Sequence, residues 1–490
     1  RQAVGIGVNM ASDRSRWLAL YVLCLGDLMI VLDTTIVNVA LPSIGKDLGF
    51  TEASLAWVVN AYLLTFGGFL LLAGRFGDLY GQRKLFLIGI VIFTLASLAC
   101  GLATSKGMLV TARAAQGIGG AIVAAIVLSL LMILFTEPAE RAKAMGVVGF
   151  VLSGGGTAGV LLGGILTDVL SWHWIFLVNI PVGVAVFALC RRLLPADSPT
   201  REGGLDIAGA VTVTSSLILA VYAIVNGNQE GWTSAQTLGM LAGAALLLVL
   251  FVLIEARTSN PLVPLGLFRI GNVASANVTG VLLAAAMFAW FFLSALYLQR
   301  VLGYSPLEVG FAFLPATLIW GASSLFLSDK LVMRFGIKAP LLVGLALYAV
   351  VLLFFARAPV DGNYFMDILP GMLLIGIGGG ITFNPILLAA MSSVKPTEAG
   401  LASGVVNTSF MMGGALGLAI LASAAASRTD TLTANGDGPL VALNGGYHLA
   451  FLIGAAFAVV AGVVAAVFIR AEAPAMAHEG EGVPAAVEAE

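Results

Sequence analysis

Apolar runs of at least about 18 residues recur along most of this 490-residue chain. Each is long enough to cross about 30 Å of hydrocarbon. Short polar stretches carrying Gly or Pro, such as "EPAERAK" and "VKPTEAG", interrupt them. The pattern predicts fourteen membrane-spanning helices, at approximately 17–41, 53–74, 84–105, 107–134, 144–168, 172–191, 206–226, 237–256, 272–300, 306–328, 339–356, 364–391, 400–426 and 446–470. The expected fold class is an all-α integral membrane protein. Arg14 and Arg16 precede the first run, which is too long for the core of a cleavable leader and reads as a retained span. Residues before Met10 are set aside from fold reasoning, and 471–490, acidic and rich in Ala and Pro, read as a disordered tail.

The basic residues give the spans a direction. With the N-terminus inside and each span crossing once, eighteen of the 24 Lys and Arg fall in inside segments. Lys46, Lys106, Arg300, Arg357 and Arg428 fall outside, and Arg113 alone is left within a span. Basic residues concentrate on the cytoplasmic side of membrane proteins, so both termini are expected in the cytoplasm.

A repeat lies within the pattern. "GIGGAI" at 117–122 recurs as "GIGGGI" at 376–381, "AMGVV" at 144–148 as "ASGVV" at 402–406, and "YGQRK" at 80–84 as "FGIKA" at 335–339. The offsets of 259, 258 and 255 map spans 3, 4 and 5 onto 11, 12 and 13. Two parallel six-span halves follow, with two spans inserted between them. The expected organisation is a cytoplasmic segment at 1–16, an N-terminal six-helix bundle at 17–195, a linker with two inserted helices at 196–262, a C-terminal six-helix bundle at 263–470 and a cytoplasmic tail at 471–490.

Composition agrees with a bilayer: 59% of residues are hydrophobic and 10% charged, against roughly 25% charged in soluble domains. A net charge of -2 without a basic block gives nucleic acid no purchase. Cys24, Cys100 and Cys190 sit in apolar runs, so free thiols are expected and no disulfide framework. No phosphate-binding loop, metal-ligand cluster or hydrolase motif is present. No cofactor or metal is expected, nor an enzyme, and any energy supply would be an ion gradient. The glycines at 154, 156 and 159 match a dinucleotide fingerprint in spacing only, since no strand precedes them and they lie inside a span.

The charges inside spans are the candidate chemistry, because a charge in hydrocarbon costs at least about 2.5 kcal/mol and is kept for a partner or a task. Asp33 lies about 12 Å below the outer end of span 1, and Arg113 about 9 Å below that of span 4, at helical rise. A pair between them is geometrically allowed, and Gln116 shares Arg113's face. Asp27, Thr34 and Asn38 form a separate polar stripe on span 1 and favour Asp27 for a water-facing side, with Asp33 turned toward a neighbouring helix. Burial favours the neutral form of a carboxyl and a nearby guanidinium favours the charged form. Helix movement that parts such a pair therefore couples proton binding to conformation. A structural ion pair is the plainer alternative.

Further stretches carry packing or recognition. In "GRFGDLYGQRK", Gly74, Gly77 and Gly81 permit tight backbone geometry, and Asp78 is placed to cap a helix or pair with Arg83 or Lys84. Gly155, Gly159 and Gly163 form a stripe that admits close helix approach. Trp290 and Phe291, in "MFAWFF", and Trp320 are candidates for an aromatic substrate wall, with lipid-facing packing as the plainer reading.

Taken in order, "LDTTIVNVALP", "GRFGDLYGQRK", "RAAQGIGG", "GTAGVLLGG", "WHWIFLVNIPVG" and "GLASGVVNTS" resemble the fourteen-span drug:proton antiporter branch of the major facilitator superfamily, over about residues 10 to 470. Two departures stand out: Val160 occupies a position where that branch's span 5 motif has proline, and His173 the middle of a motif often read as "WRW". The resemblance implies a major facilitator fold and alternating access about a central cavity. It implies a proton-coupled exporter of lipophilic or cationic small molecules; charge placement then makes Asp33 the expected proton site, with Arg113 as its partner and Asp27 as a second acidic group. Thr34, Asn38, Gln116, Trp290, Phe291 and Trp320 would line the substrate cavity, and Gly74, Asp78, Gly81, Arg83, Lys84 and the span 5 glycines would serve the conformational change. The expected setting is a bacterial plasma membrane, with protons, lipids and a small amphipathic substrate as partners and the chain a monomer. The alternatives are a proton-coupled symporter importing a metabolite and a non-transporting membrane receptor or scaffold.

Overall fold

The protein is described by a computed structural model covering residues 13–135, 137–194, 204, 206–392, 394 and 399–470. Most of the expected N-terminal segment, the boundary near 195 and the acidic tail lie outside the described residues. The chain forms fourteen long helical units: α1 (Asp13–Leu48), α2 (Trp57–Tyr80), α3 (Gln82–Gly101), α4 (Lys106–Leu134), α5 (Pro138–Val169), α6 (Asn179–Leu193), α7 (Ile207–Glu230), α8 (Ala235–Arg257), α9 (Val273–Leu296), α10 (Pro306–Ser323), α11 (Lys338–Phe355), α12 (Leu369–Met391), α13 (Ala399–Ala434) and α14 (Pro439–Phe468). Wider π-type turns extend three of them, at Tyr297–Val301 after α9, Ser324–Ser328 after α10 and Tyr364–Ile368 before α12. Among the described residues, 13 helices are long and apolar enough to cross a membrane. The remaining unit is α5, a helix of 32 residues.

The two halves pack by one scheme. α1 packs on α5 and α6, α4 on α2 and α3, and α3 on α6. Eight units later, α9 packs on α13 and α14, α12 on α10 and α11, and α11 on α14. The inserted pair, α7 and α8, packs on itself, and α7 also lies against α2 and α13. The halves meet chiefly where α5 crosses α10 and where α2 crosses α13.

Without a hydrophobic drive between helices in lipid, close backbone approach is what holds such crossings, and glycine permits it. A Cβ on Gly117 of α4 would stand 2.5 Å from the Tyr62 carbonyl of α2, and one on Gly119 would stand 2.6 Å from the Phe93 nitrogen of α3. α4 is thereby held between two neighbours on opposite faces. The repeat does the same: Gly376 of α12 lies against the Ala316 carbonyl of α10, and Gly378 faces Leu347 and the Gly344 carbonyl of α11. The stripe Gly155, Gly159, Gly163 lies along α1, against Leu28 and Val31, then Thr35, then the Ile36 carbonyl. Gly164 and Gly310 bring α5 and α10 together between the halves.

Several boundaries differ from the hydrophobic pattern. α1 continues to Leu48 with Pro42 inside it, and α5 begins at Pro138, so most of "EPAERAK" is helical. α13 runs to Ala434 and α14 begins at Pro439. α2 is preceded by a separate short helix, Glu52–Leu55, capped by Thr51. Hydrophobicity marks the part of a helix that meets lipid, whereas the hydrogen-bond ladder runs on into polar sequence. The stretch 74–84 is likewise not an open loop. α2 ends at Tyr80 and α3 starts at Gln82, leaving Gly81 alone between them at φ 102°. That left-handed backbone favours glycine. Gly77 serves packing against Ile126, and Gly74 meets only Ala125 at van der Waals distance.

Replacing Gly159 with Val should drive α1 and α5 apart and lower stability by about 1–3 kcal/mol. Gly156→Ala, whose new methyl meets nothing within 4 Å, should leave it unchanged. Denaturation of the purified variants in detergent measures both.

Candidate functional site

Asp33 of α1 and Arg113 of α4 meet in the interior of the first half. Arg113 Nη1 donates to Asp33 Oδ2 at 2.5 Å, and neither side chain reaches the surface. α4 can deliver the guanidinium there because its glycines, one turn and more below Arg113, let it nest between α2 and α3. Arg113 Nε donates to the Val58 carbonyl of α2 at 3.0 Å. That carbonyl lies in the first turn of α2, whose early amides and carbonyls are offset by the break at Ala56. Nη1 also donates to Gln116 Oε1 at 2.6 Å, one helical turn along α4. The ring of Tyr62 covers the guanidinium at 4.5 Å, and Phe176 at 5.6 Å. A weakly hydrated, planar cation suits such a wall.

The second carboxylate oxygen is held by amides. Gln116 Nε2 donates to Asp33 Oδ1 at 2.7 Å, and Asn179 Nδ2 of α6 lies 3.4 Å from the same atom. Both amides also donate to Ser97 Oγ of α3, at 3.0 and 2.9 Å, and the serine passes its hydrogen to the Phe176 carbonyl at 3.1 Å. Cys100 Sγ stands 3.7 Å from Gln116 Oε1. Four helices, α1, α3, α4 and α6, thus contribute side chains to one closed polar network. A buried ion pair holds only when its remaining lone pairs and protons find partners, and here both Asp33 oxygens and the Nε and Nη1 of Arg113 are bonded. A cavity of about 100 Å³ between α1, α5 and α6, lined by Leu28, Leu32, Leu162 and Val182 among others, touches the network at Asn179.

Asp27 stands apart. It lies six residues before Asp33, about 9 Å along the helix, and is 8% exposed. The water-facing position read from the sequence is therefore not found: Asp27 is buried. Thr34 donates to the Val31 carbonyl and Asn38 to the Thr34 carbonyl, so both spend their polarity on α1's own backbone. Trp290 is fully buried at the centre of the second half, edge-on to Phe291, Phe313 and Phe355. It faces neither lipid nor an open wall, because α9 is central to its bundle. Phe291 stacks on Phe313 at 5.9 Å and lies 6.2 Å from Trp320; both Phe291 and Trp320 are half-buried. No hydrogen bond, ion pair or ring contact among the described residues joins these aromatics to Thr34 or Asn38. Across the halves, Gln299 Nε2 donates to the Val39 carbonyl at 2.8 Å.

At the α2–α3 turn, Arg83 donates to the Arg191 carbonyl at the end of α6, and Gln82 to Ser129 of α4. The side chain of Asp78 lies outside the described residues. Sequence reasoning passed over Ser97, Asn179, Tyr62 and Cys100. The available signal was their polarity within apolar runs; Asn179 even falls in a quoted motif, "WHWIFLVNIPVG", without a role assigned to it.

The second half has no such charge. With the offset of 259, Arg113 corresponds to Met372 and Gln116 to Ile375, both buried. Two like-built bundles of helices long and apolar enough to cross a membrane, one of them holding a sealed ion pair, define a polytopic membrane protein. The chain belongs to the Major Facilitator Superfamily, whose family model matches residues 23–418. It is 39% identical over 415 residues to the cephamycin export protein CmcT of Amycolatopsis lactamdurans, covering 84% of this chain and 85% of that one. It is 38% identical over 451 residues to the puromycin resistance protein pur8 of Streptomyces alboniger, covering 91% and 89%. Among solved structures, an auto-inhibited peptide transporter of the POT family shares the fold at a TM-score of 0.66 and 16% identity, over 92% of this chain and 96% of that one.

Arg113→Gln leaves the Asp33 carboxyl buried without its counter-ion, and should cost about 3–5 kcal/mol of stability. The double variant D33N/R113Q should recover much of that loss. Chemical denaturation in detergent, run as a double-mutant cycle, gives both values.

Proposed function

We propose that this protein is a proton-coupled exporter of amphipathic, antibiotic-like small molecules, working by alternating access in a bacterial plasma membrane with both termini cytoplasmic. The observation that carries the export half is the near-full-length likeness to proteins named for antibiotic export and resistance. The lincomycin resistance protein of Streptomyces lincolnensis, 36% identical over 422 residues, points the same way. The buried ion pair supports the proton half.

Asp33 is the proton carrier in this reading and Arg113 its counter-charge. While the pair is closed, the guanidinium and two amide donors satisfy both carboxylate oxygens in a buried site. When α1 and α4 shift, the pair parts, and a lone carboxylate in a dry interior favours the neutral form. Proton uptake then accompanies one conformation, and release accompanies the return. Gln116, Ser97 and Asn179 keep Asp33 oriented and exchange their hydrogen bonds as the charge changes. Asp27 is a second acidic group on the same helix. The 17–195 and 263–470 bundles would rock about the α2–α13 and α5–α10 crossings, with the 74–84 turn holding one state. The apolar second half, with half-buried Phe291 and Trp320, is assigned to substrate shape.

In proteoliposomes, an imposed pH gradient should drive a lipophilic cationic dye outward through the wild-type protein. Asp33→Asn should cut that flux to background while the protein stays folded; Asp27→Asn should lower it several-fold. Inward dye movement points to a symporter, and no movement with any of a panel of toxic compounds removes the exporter reading. Undiminished proton-driven export by Asp33→Asn removes the residue's assigned role alone.

A further inference from the structure

A second pair of carboxyl groups lies buried in the inserted helices, where the reading above gives it no task. Asp206 caps the start of α7, its Oδ1 accepting from the Gly209 amide at 2.7 Å. Glu255 lies in the last turn of α8, its Oε2 accepting from the Val263 amide at 3.0 Å. The two side chains are 6% and 3% exposed. Each has one further oxygen, Asp206 Oδ2 and Glu255 Oε1, buried and with no donor. Both of those oxygens face the same glycine: a Cβ on Gly209 would stand 2.5 Å from the first and 2.8 Å from the second. Two oxygens that approach one point this closely lie within about 5 Å of each other.

Two carboxylate oxygens cannot bond unless one of them carries hydrogen, and two like charges at contact in a dry site do not both persist. Among the described residues no Lys or Arg pairs with either group. Arg257, two residues past Glu255, and Arg269 are exposed. Arg75 of α2 turns its Nη2 to Asn260 Oδ1 at 3.3 Å instead. α13, the other helix packed on α7, carries its described charges, Arg428 and Asp430, toward its opposite end. Arg201, Glu202 and Lys395 lie outside the described residues.

We propose that Asp206 and Glu255 form a one-proton carboxyl–carboxylate site, separate from Asp33, that closes the base of the α7–α8 pair and docks it on α2. The docking contact is beside it: Leu72 of α2, Ala210 of α7 and Leu262 form a small apolar cluster with Phe69 and Phe76. With the proton in place, the two helix ends are joined by a hydrogen bond. Loss of the proton sets two negative charges in contact, draws in water and loosens the cluster. The folded state holds a proton that unfolded carboxyls release near pH 4. The site's stabilisation is therefore complete below that range and is lost as pH rises to the point where the folded site lets its proton go.

The test uses the full-length protein in lipid nanodiscs. Glu255→Gln and Asp206→Asn each replace the shared proton with an amide donor and keep the shape. Infrared spectra at neutral pH should contain a protonated-carboxyl band that disappears in each single variant, with no further loss in the double variant. That band should survive Asp33→Asn. The melting temperature of the wild type should fall by about 2 °C or more between about pH 6 and about pH 9, while that of either single variant should not. A band unchanged by both substitutions overturns the proposal. So does a wild-type pH profile retained by both variants, or a site that lacks the band and is stabilised by added magnesium or calcium. Should one variant fail to fold, the other and the wild-type titration still decide the matter. None of these readouts involves transport, so the outcome is independent of whether Asp33 carries protons.

Discussion

A guanidinium and a carboxylate held in contact with no water beside them impose strict conditions on everything around them. Each unpaired hydrogen or lone pair in such a place costs several kcal/mol. Val58 and Gln116 take up Arg113 Nε and Nη1, Gln116 and Asn179 hold the second oxygen of Asp33, and Ser97 accepts from both amides. That requirement ties four helices to one point. It also fixes how far apart they stand, because side chains as short as serine and asparagine must reach. The glycines on α4 meet that condition, letting the helix approach α2 and α3 until Arg113 and Gln116 arrive within hydrogen-bond distance.

The same geometry is built twice, but among the described residues only the first copy holds a buried ion pair. Gly376 and Gly378 seat α12 as Gly117 and Gly119 seat α4, yet the positions matching Arg113 and Gln116 hold Met372 and Ile375. The second half instead packs Trp290 among three phenylalanines. A bundle cemented by apolar contact keeps its form whatever the protonation state elsewhere. A bundle organised on an ion pair responds to the gain or loss of one charge.

The inserted helices have their own polar anchor. They contribute no residue to the Asp33 network, and α8 presents many exposed apolar side chains, from Leu238 to Leu253, to the surroundings. What ties them down is local: Asp206 capping the start of α7, Glu255 accepting from the Val263 amide, Ser216 donating to the Ala244 carbonyl between the two helices, and Asn228 reaching Ser423 of α13. The hydrogen bonds do the positioning because lipid and side chains compete almost equally for the apolar surface.

The number of spans, the repeat, the two departures from the motif and the presence of Asp33 and Arg113 as candidate partners were legible in the sequence. Lipid admits spanning backbone only as helices or closed barrels, so apolar runs of this length read directly as helical spans, and a charge within one is conspicuous. Helix ends were not legible, as α1 and α5 attest, because the backbone ladder continues where hydrophobicity stops. Nor were the fates of Asp27, Trp290 and Ser97. A wheel of one helix gives the angle of a side chain but not which neighbour stands there, and burial belongs to the neighbour. Only the packing of α3, α4 and α6 around α1 decided that Asp33 would bond three side chains, Arg113, Gln116 and Asn179, while Asp27, about two turns away, would have no hydrogen bond or ion pair among the described residues.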